Sequence, residues 1–193
     1  MAKLYFRYGA MGSSKTANAL MVRYNYLEKG KRAIMLKPKV ECRDGEKTIK
    51  SRIGLEADCE YVERFLENCD NEAYYNSFDA VIVDEVQFLT EEQVNALAKI
   101  VDNHNISVIC YGLRTDFQGR FFEGSRRLME IADVIEEIPT ICWCGQKAKF
   151  NARIKNGKIV KDGETIEMGG NESYISLCRK HYLSGDVYPP TKN

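Results

Sequence analysis

The chain has 193 residues, enough for one full core and a small appended module. Its 28 Lys and Arg balance 28 Asp and Glu, so no global field draws in nucleic acid or an anionic membrane, which argues against a protein built to coat a polyanion. No stretch approaches the ~18–20 apolar residues of a membrane span. Residues 1–8 carry no apolar leader run, so the cytoplasm is the expected location, with neither membrane nor nucleic acid as partner. In that reducing compartment the seven cysteines, an odd number, read as thiols or metal ligands rather than a disulfide framework.

Residues 3–8 alternate and are rich in aromatics, predicting a first strand that runs into a glycine-containing loop. Ala17, Leu20, Tyr24 and Leu27 recur at helical spacing, and Gly30 supplies a stop. A second strand follows at 32–36. Residues 39–57 are polar and aperiodic, and are expected to form a long irregular connection. A helix is predicted over 60–68, then a buried strand at 78–84 ending in Asp84 and Glu85. Thr90 and Gln93 fit a capping box for a helix with Val94, Leu97, Ala98 and Val101 inward. His104, near its end, is expected to face solvent or the helix dipole. A strand at 107–112, a helix at 126–132 and a strand at 134–138 complete an α/β alternation that implies a parallel sheet. After Pro139 the texture changes to short β-prone runs at 149–154, 158–160 and 164–168, which predicts a second small domain over 139–193 behind a first over 1–138.

Three groups of residues carry chemistry. Gly9-Ala10-Met11-Gly12-Ser13-Ser14-Lys15-Thr16 nearly matches the phosphate-loop pattern, with Ser14 where glycine is expected. Such a loop turns backbone N–H groups onto phosphates at a helix start; Lys15 reaches the β- and γ-phosphates of ATP, and the Thr16 hydroxyl ligates Mg²⁺. Asp84, at a strand end, is the second expected Mg²⁺ ligand, and Glu85 beside it is a natural general base. Alcohol or water as acceptor would separate a kinase from an ATPase, and the motif leaves both open. The third group is Cys142, Cys144, Cys178 and His181, two close pairs suited to a tetrahedral structural Zn²⁺. The remaining cysteines read as plain thiols.

Taken together, the phosphate loop, Asp84 to Leu89, Tyr111 to Gly119, Gly169 to Tyr174 and Cys178 to His181 resemble, in order and spacing, the zinc-containing thymidine kinase family of bacteria and animal cytosol. The resemblance implies a P-loop, RecA-like α/β fold, a parallel sheet with helices on both faces, plus a small β-rich zinc-binding domain. It implies transfer of the γ-phosphate of Mg·ATP to the 5′-hydroxyl of thymidine, with deoxyuridine as a conceivable acceptor, in a homotetramer inhibited by dTTP. Glu85 takes the role of base. Gly169, Gly170 and Asn171 fall in a loop that closes over the base, with Tyr174 at the sugar. Met11, Phe88, Leu113 and Phe117 match base-pocket positions, although spacing alone would assign the aromatics to the core. Gln87 matches a residue near acceptor and phosphates. Glu41, commonly aspartate in the family, and Arg43 match positions near the reaction centre. The rivals are a RecA-like ATPase acting on nucleic acid and a zinc-ribbon module with a regulatory nucleotide.

Overall fold

In the computed structural model, which describes residues 1–41, 45–68, 71–163 and 174–188, strand β1 (Leu4–Tyr8) leads through the phosphate loop into helix α1 (Lys15–Glu28). Then come β2 (Ala33–Lys37), β3 (Thr48–Lys50), β4 (Glu56–Asp58), β5 (Glu60–Tyr61), α2 (Val62–Leu66) and α3 (Glu72–Tyr75). Strand β6 (Ala80–Val83), a 3-10 turn (Val86–Phe88), α4 (Glu91–His104), β7 (Ser107–Gly112), α5 (Glu123–Ile131) and β8 (Val134–Glu137) follow. The last elements are β9 (Phe150–Lys155), β10 (Lys158–Val160), β11 (Tyr174–Leu177) and α6 (Arg179–Ser184). None of the described helices is long and apolar enough to cross a membrane.

Six strands form one parallel sheet in the order β5-β2-β6-β7-β1-β8. Along β6, Val81 and Val83 enter a core built with α2, α4 and α5, while Ala80 and Ile82 enter a second core with Ala19 and Leu20 of α1. Both faces are therefore covered, which is why β6 is apolar at every position. Parallel strands bring their carboxyl ends to one edge, where ligands of open α/β sheets bind. Tyr8, Lys37, Val83 and Gly112 end there, and the phosphate loop and the two acids follow directly.

Two expectations need correction. Residues 39–57 are not irregular throughout: β3 and β4 pair as an antiparallel hairpin, with Ile49 2% exposed in the core beneath α1. Three-residue strands with one apolar anchor carry no readable period. A buried ammonium ties this excursion down. Lys37, with a side chain 1% exposed, donates to the carbonyls of Gly45 (2.7 Å) and Thr48 (2.9 Å) and lies 3.7 Å from the Glu41 carboxylate. Two carbonyl acceptors and the opposite charge of Glu41 thus compensate the buried ammonium. The helix expected over 60–68 is also shorter, because Glu60 and Tyr61 pair with Leu36 and Lys37 as an edge strand before α2 begins.

The capping box at the start of α4 is present in both directions, Gln93 N–H to Thr90 Oγ1 and Thr90 N–H to Gln93 Oε1. His104 lies in the last turn of α4 and packs against the Tyr75 ring at 4.9 Å. Beyond residue 138, β10, β9 and β11 form an antiparallel sheet. Its own core holds Ala148, Ala152, Leu177 and Tyr182, with Phe150 stacked on Tyr182 at 4.5 Å. The strand expected at 164–168 lies outside the described residues.

Candidate active site and metal centre

The phosphate loop closes tightly. Gly9 allows a close approach: a Cβ there would meet Ser13 Oγ at 2.3 Å and the Ile138 carbonyl at 2.5 Å. Lys15 is 9% exposed, and its ammonium donates to the Ala10 carbonyl at 3.0 Å, so the charge sits over the loop. Ser14, the N-cap of α1, makes no side-chain capping bond. The first-turn N–H groups of a helix have no intrahelical acceptor and, uncapped, are suited to an anion.

Ser14 also has φ 59° and ψ 29°, the left-handed conformation that favours glycine and explains why the pattern expects one. Its strain costs about 1–2 kcal/mol, and glycine's extra freedom in the unfolded chain offsets about 0.4–1 of that. Ser14→Gly is therefore expected to stabilise the protein by about 0.5–1 kcal/mol, read as a higher urea midpoint with unchanged slope. A midpoint that stays or falls would show that the loop carries no such strain.

The acids are held in a defined geometry. Asp84 is 3% exposed and accepts from the Glu85 N–H at 3.0 Å. Burial first, then the neighbouring Glu85, pushes its carboxyl up to about 7, opposed by the nearby Thr16 hydroxyl, the Glu85 N–H and the Lys15 ammonium. A cation at this spot would favour the ionised form, so Thr16 and Asp84 fit Mg²⁺. Glu85 has φ 54° and ψ 38°, a left-handed turn that swings its side chain away from the strand direction. Such conformations in non-glycine residues cluster at functional sites. Gln87, 3% exposed, donates to Glu85 Oε2 and accepts from the Leu113 N–H at 3.0 Å, linking Glu85 to the end of β7. Gly112 makes this possible, since a Cβ there would lie 2.7 Å from Gln87 Oε1.

Around this centre, Phe88 packs edge-on to Phe122 at 6.2 Å, and Ser125 Oγ donates to the Leu113 carbonyl. Phe117 is 2% exposed, its ring covered by the Arg153 guanidinium at 3.8 Å. Arg153 Nε in turn donates to the Tyr174 hydroxyl at 2.9 Å. Glu41 is 5% exposed and faces Lys37. Arg43, Gly169, Gly170 and Asn171 lie outside the described residues.

Cys142, Cys144, Cys178 and His181 converge, with ligand atoms all within 4.8 Å of one another. Bonds of about 2.3 Å to sulfur and 2.0–2.1 Å to nitrogen in a tetrahedron imply S···S edges of about 3.8 Å and S···N edges of about 3.6 Å. Cys144 and Cys178 sulfurs are 3.9 Å apart, and His181 Nδ1 lies 3.4 Å from Cys142 Sγ and 3.5 Å from Cys178 Sγ. Burial raises the Cys142 thiol, but the N–H groups of Cys144 and Cys178 and the His181 ring bring it down to about 6, toward the thiolate a metal needs. The four residues fit Zn²⁺. Trp143 stacks on the His181 ring at 4.1 Å and fixes its plane. By contrast, burial pushes Cys59 up to about 11 and raises Cys110 further, so both are inert thiols.

Sequence reading missed Lys37, Gly112, Asn151 and Ser176, each recognisable only by what it touches. A family model described as thymidine kinase matches residues 2–182. A thymidine kinase of Francisella tularensis subsp. holarctica (strain LVS) is 44% identical over 197 residues, covering 96% of this chain and 98% of its own. That of Zymomonas mobilis is 44% identical over 187 residues, with 95% and 97% covered. That of Lactococcus lactis subsp. lactis is 42% identical over 192 residues, with 97% and 100% covered. A crystal structure of a DNA replication initiation factor aligns with TM-score 0.43 and 16% identity over 71% of this chain and 40% of that one, too slight a likeness to carry any argument. With the phosphate loop, the acid pair and the cysteine–histidine cluster all inside the matched span, the chain belongs to the thymidine kinase family.

Proposed function

We propose that the protein transfers the γ-phosphate of Mg·ATP to the 5′-hydroxyl of thymidine. The observation that carries the reading is the meeting of the phosphate loop and the acid strand: buried Asp84 lies within the electrostatic reach of Thr16 and Lys15, with Glu85 immediately beside it. Glu85 takes the proton from the 5′-hydroxyl as its oxygen attacks the γ-phosphorus. Gln87 orients that carboxylate, and Lys15 stabilises charge on the transferred group and on the leaving diphosphate. Thr16 and Asp84 hold Mg²⁺, which when bound neutralises charge on the β- and γ-phosphates. Met11, Phe88, Leu113 and Phe117 form the base side, Tyr174 meets the sugar, and the segment with Gly169, Gly170 and Asn171 closes over the base and excludes water. Glu41 and Arg43 lie on the acceptor side. Cys142, Cys144, Cys178 and His181 hold a structural Zn²⁺ in a small domain that begins at residue 139.

ADP release from Mg·ATP is expected to require thymidine and to ignore single-stranded DNA. Thymidine-independent turnover stimulated by DNA would instead support the ATPase reading. The proposal extends to a cytoplasmic homotetramer inhibited by dTTP. Light scattering that reads a single chain, or rates unaffected by dTTP, would remove those parts.

A further inference from the structure

The tip of the phosphate loop is held from outside its own fold. Met11 N–H donates to Asn151 Oδ1 at 2.8 Å, and the Met11 carbonyl accepts from Ser176 Oγ. Asn151 and Ser176 are direct cross-strand partners, on β9 and β11 of the small sheet. The next pair on the same face of this ladder is Arg153 and Tyr174, with Arg153 covering the Phe117 ring and bonded to the Tyr174 hydroxyl. Successive residues of a strand alternate faces, so these two pairs form one continuous surface. Asn151 is 4% exposed and fully engaged, because its Nδ2 donates to the Thr115 carbonyl at 3.1 Å. Thr140 Oγ1 adds a bond to the Gly12 carbonyl at 3.3 Å.

A phosphate loop works only if its peptide planes are preset so that the N–H groups meet phosphate oxygens without rearrangement. Bonds at both the N–H and the C=O of Met11 fix the peptide planes on either side of it. The restraint comes from the sheet bearing Tyr174 and the Cys178 ligand, only two residues to either side of Ser176. We propose that Asn151 and Ser176 are positioning residues for the phosphate donor: the small sheet sets the geometry of the phosphate loop through the two polar groups of Met11, and thereby the affinity for the triphosphate. The proposal rests on the reading of residues 9–16 as the ATP site.

The test uses the full-length, metal-loaded protein and a non-hydrolysable Mg·ATP analogue, with thymidine titrated separately. Ser176→Ala and Asn151→Ala are each expected to weaken analogue binding about 5- to 20-fold, and Ser176→Thr, which keeps the hydroxyl, to restore it. Because the Met11 side chain also lies on the base side, thymidine affinity is expected to fall too, but less than analogue affinity, while zinc content stays at the parental level, a split that general loosening of the small sheet would not produce. Analogue affinity unchanged in Ser176→Ala, or thymidine affinity and zinc content lost in parallel with it, overturns the proposal. Lys15→Ala separates the two levels: if that variant still binds the analogue at parental affinity, the ATP-site reading itself fails.

Discussion

Glu85→Gln is expected to lose about 10²–10⁴-fold in turnover with thymidine while binding Mg·ATP within about twofold of the parent protein. The substitution is nearly isosteric. The left-handed turn at residue 85 and its N–H bond to Asp84 belong to the backbone and persist. The new amide can still present its oxygen to Gln87 Nε2, so the link to Leu113 at the end of β7 survives. What disappears is basicity and one negative charge. Removing that charge also relieves Asp84, whose carboxyl Glu85 helps to push up, so donor binding has no reason to weaken. Initial rates of ADP formation, paired with equilibrium binding of a non-hydrolysable analogue, separate the two effects. Parental turnover in the variant would show that the proton leaves by another route.

Cys142→Ser is expected to disorder the small sheet while leaving the large one intact. Structural Zn²⁺ contributes about 10–16 kcal/mol to comparable modules at neutral pH, more than a few apolar side chains can replace. The core around Ala148, Ala152 and Leu177 is small, and Cys142 and Cys178 are themselves part of it. Native protein should carry about one equivalent of zinc per chain, and the variant less than about half. Amide exchange is expected to accelerate in β9 and β11 while β1, β6 and β7 keep their protection. Parental protection in β9 and β11 without metal would mean that the apolar core suffices.

Some of this was legible in the sequence because local chemistry announces itself. The Thr90–Gln93 box depends on a three-residue spacing and forms where expected, and the contiguous run from Gly9 does lead from β1 into α1. Strand β6 stood out because burial on both faces removes every polar side chain from it. The four zinc candidates stood out because they fall in two close pairs and the chain has only two histidines. The parts that escaped depend on distant pairing. Asn151 and Ser176 are ordinary polar residues on short strands, and their partner Met11 is 140 and 165 positions away. Nothing in the sequence marks Lys37; only the fold places two carbonyls and a carboxylate around it. The hairpin of β3 and β4 was hidden because Ile49 is its single deeply buried side chain. Ser14 was visible as a departure, but its left-handed backbone, and so the direction of the glycine prediction, came only with the coordinates.

The position of β1 in the sheet has a consequence for how the molecule is made. Its neighbours are β7 and β8, with Leu4 opposite Val108 and Tyr5 opposite Val134. During synthesis β1 thus emerges well before either of its partners. Contacts of such long sequence separation form slowly, because loop closure precedes any gain from pairing. Until then the segment that becomes the phosphate loop has no platform, and Met11 has no small sheet to grip it. The loop therefore takes its final shape only once β7, β8 and the small sheet have been made, late and nearly all at once.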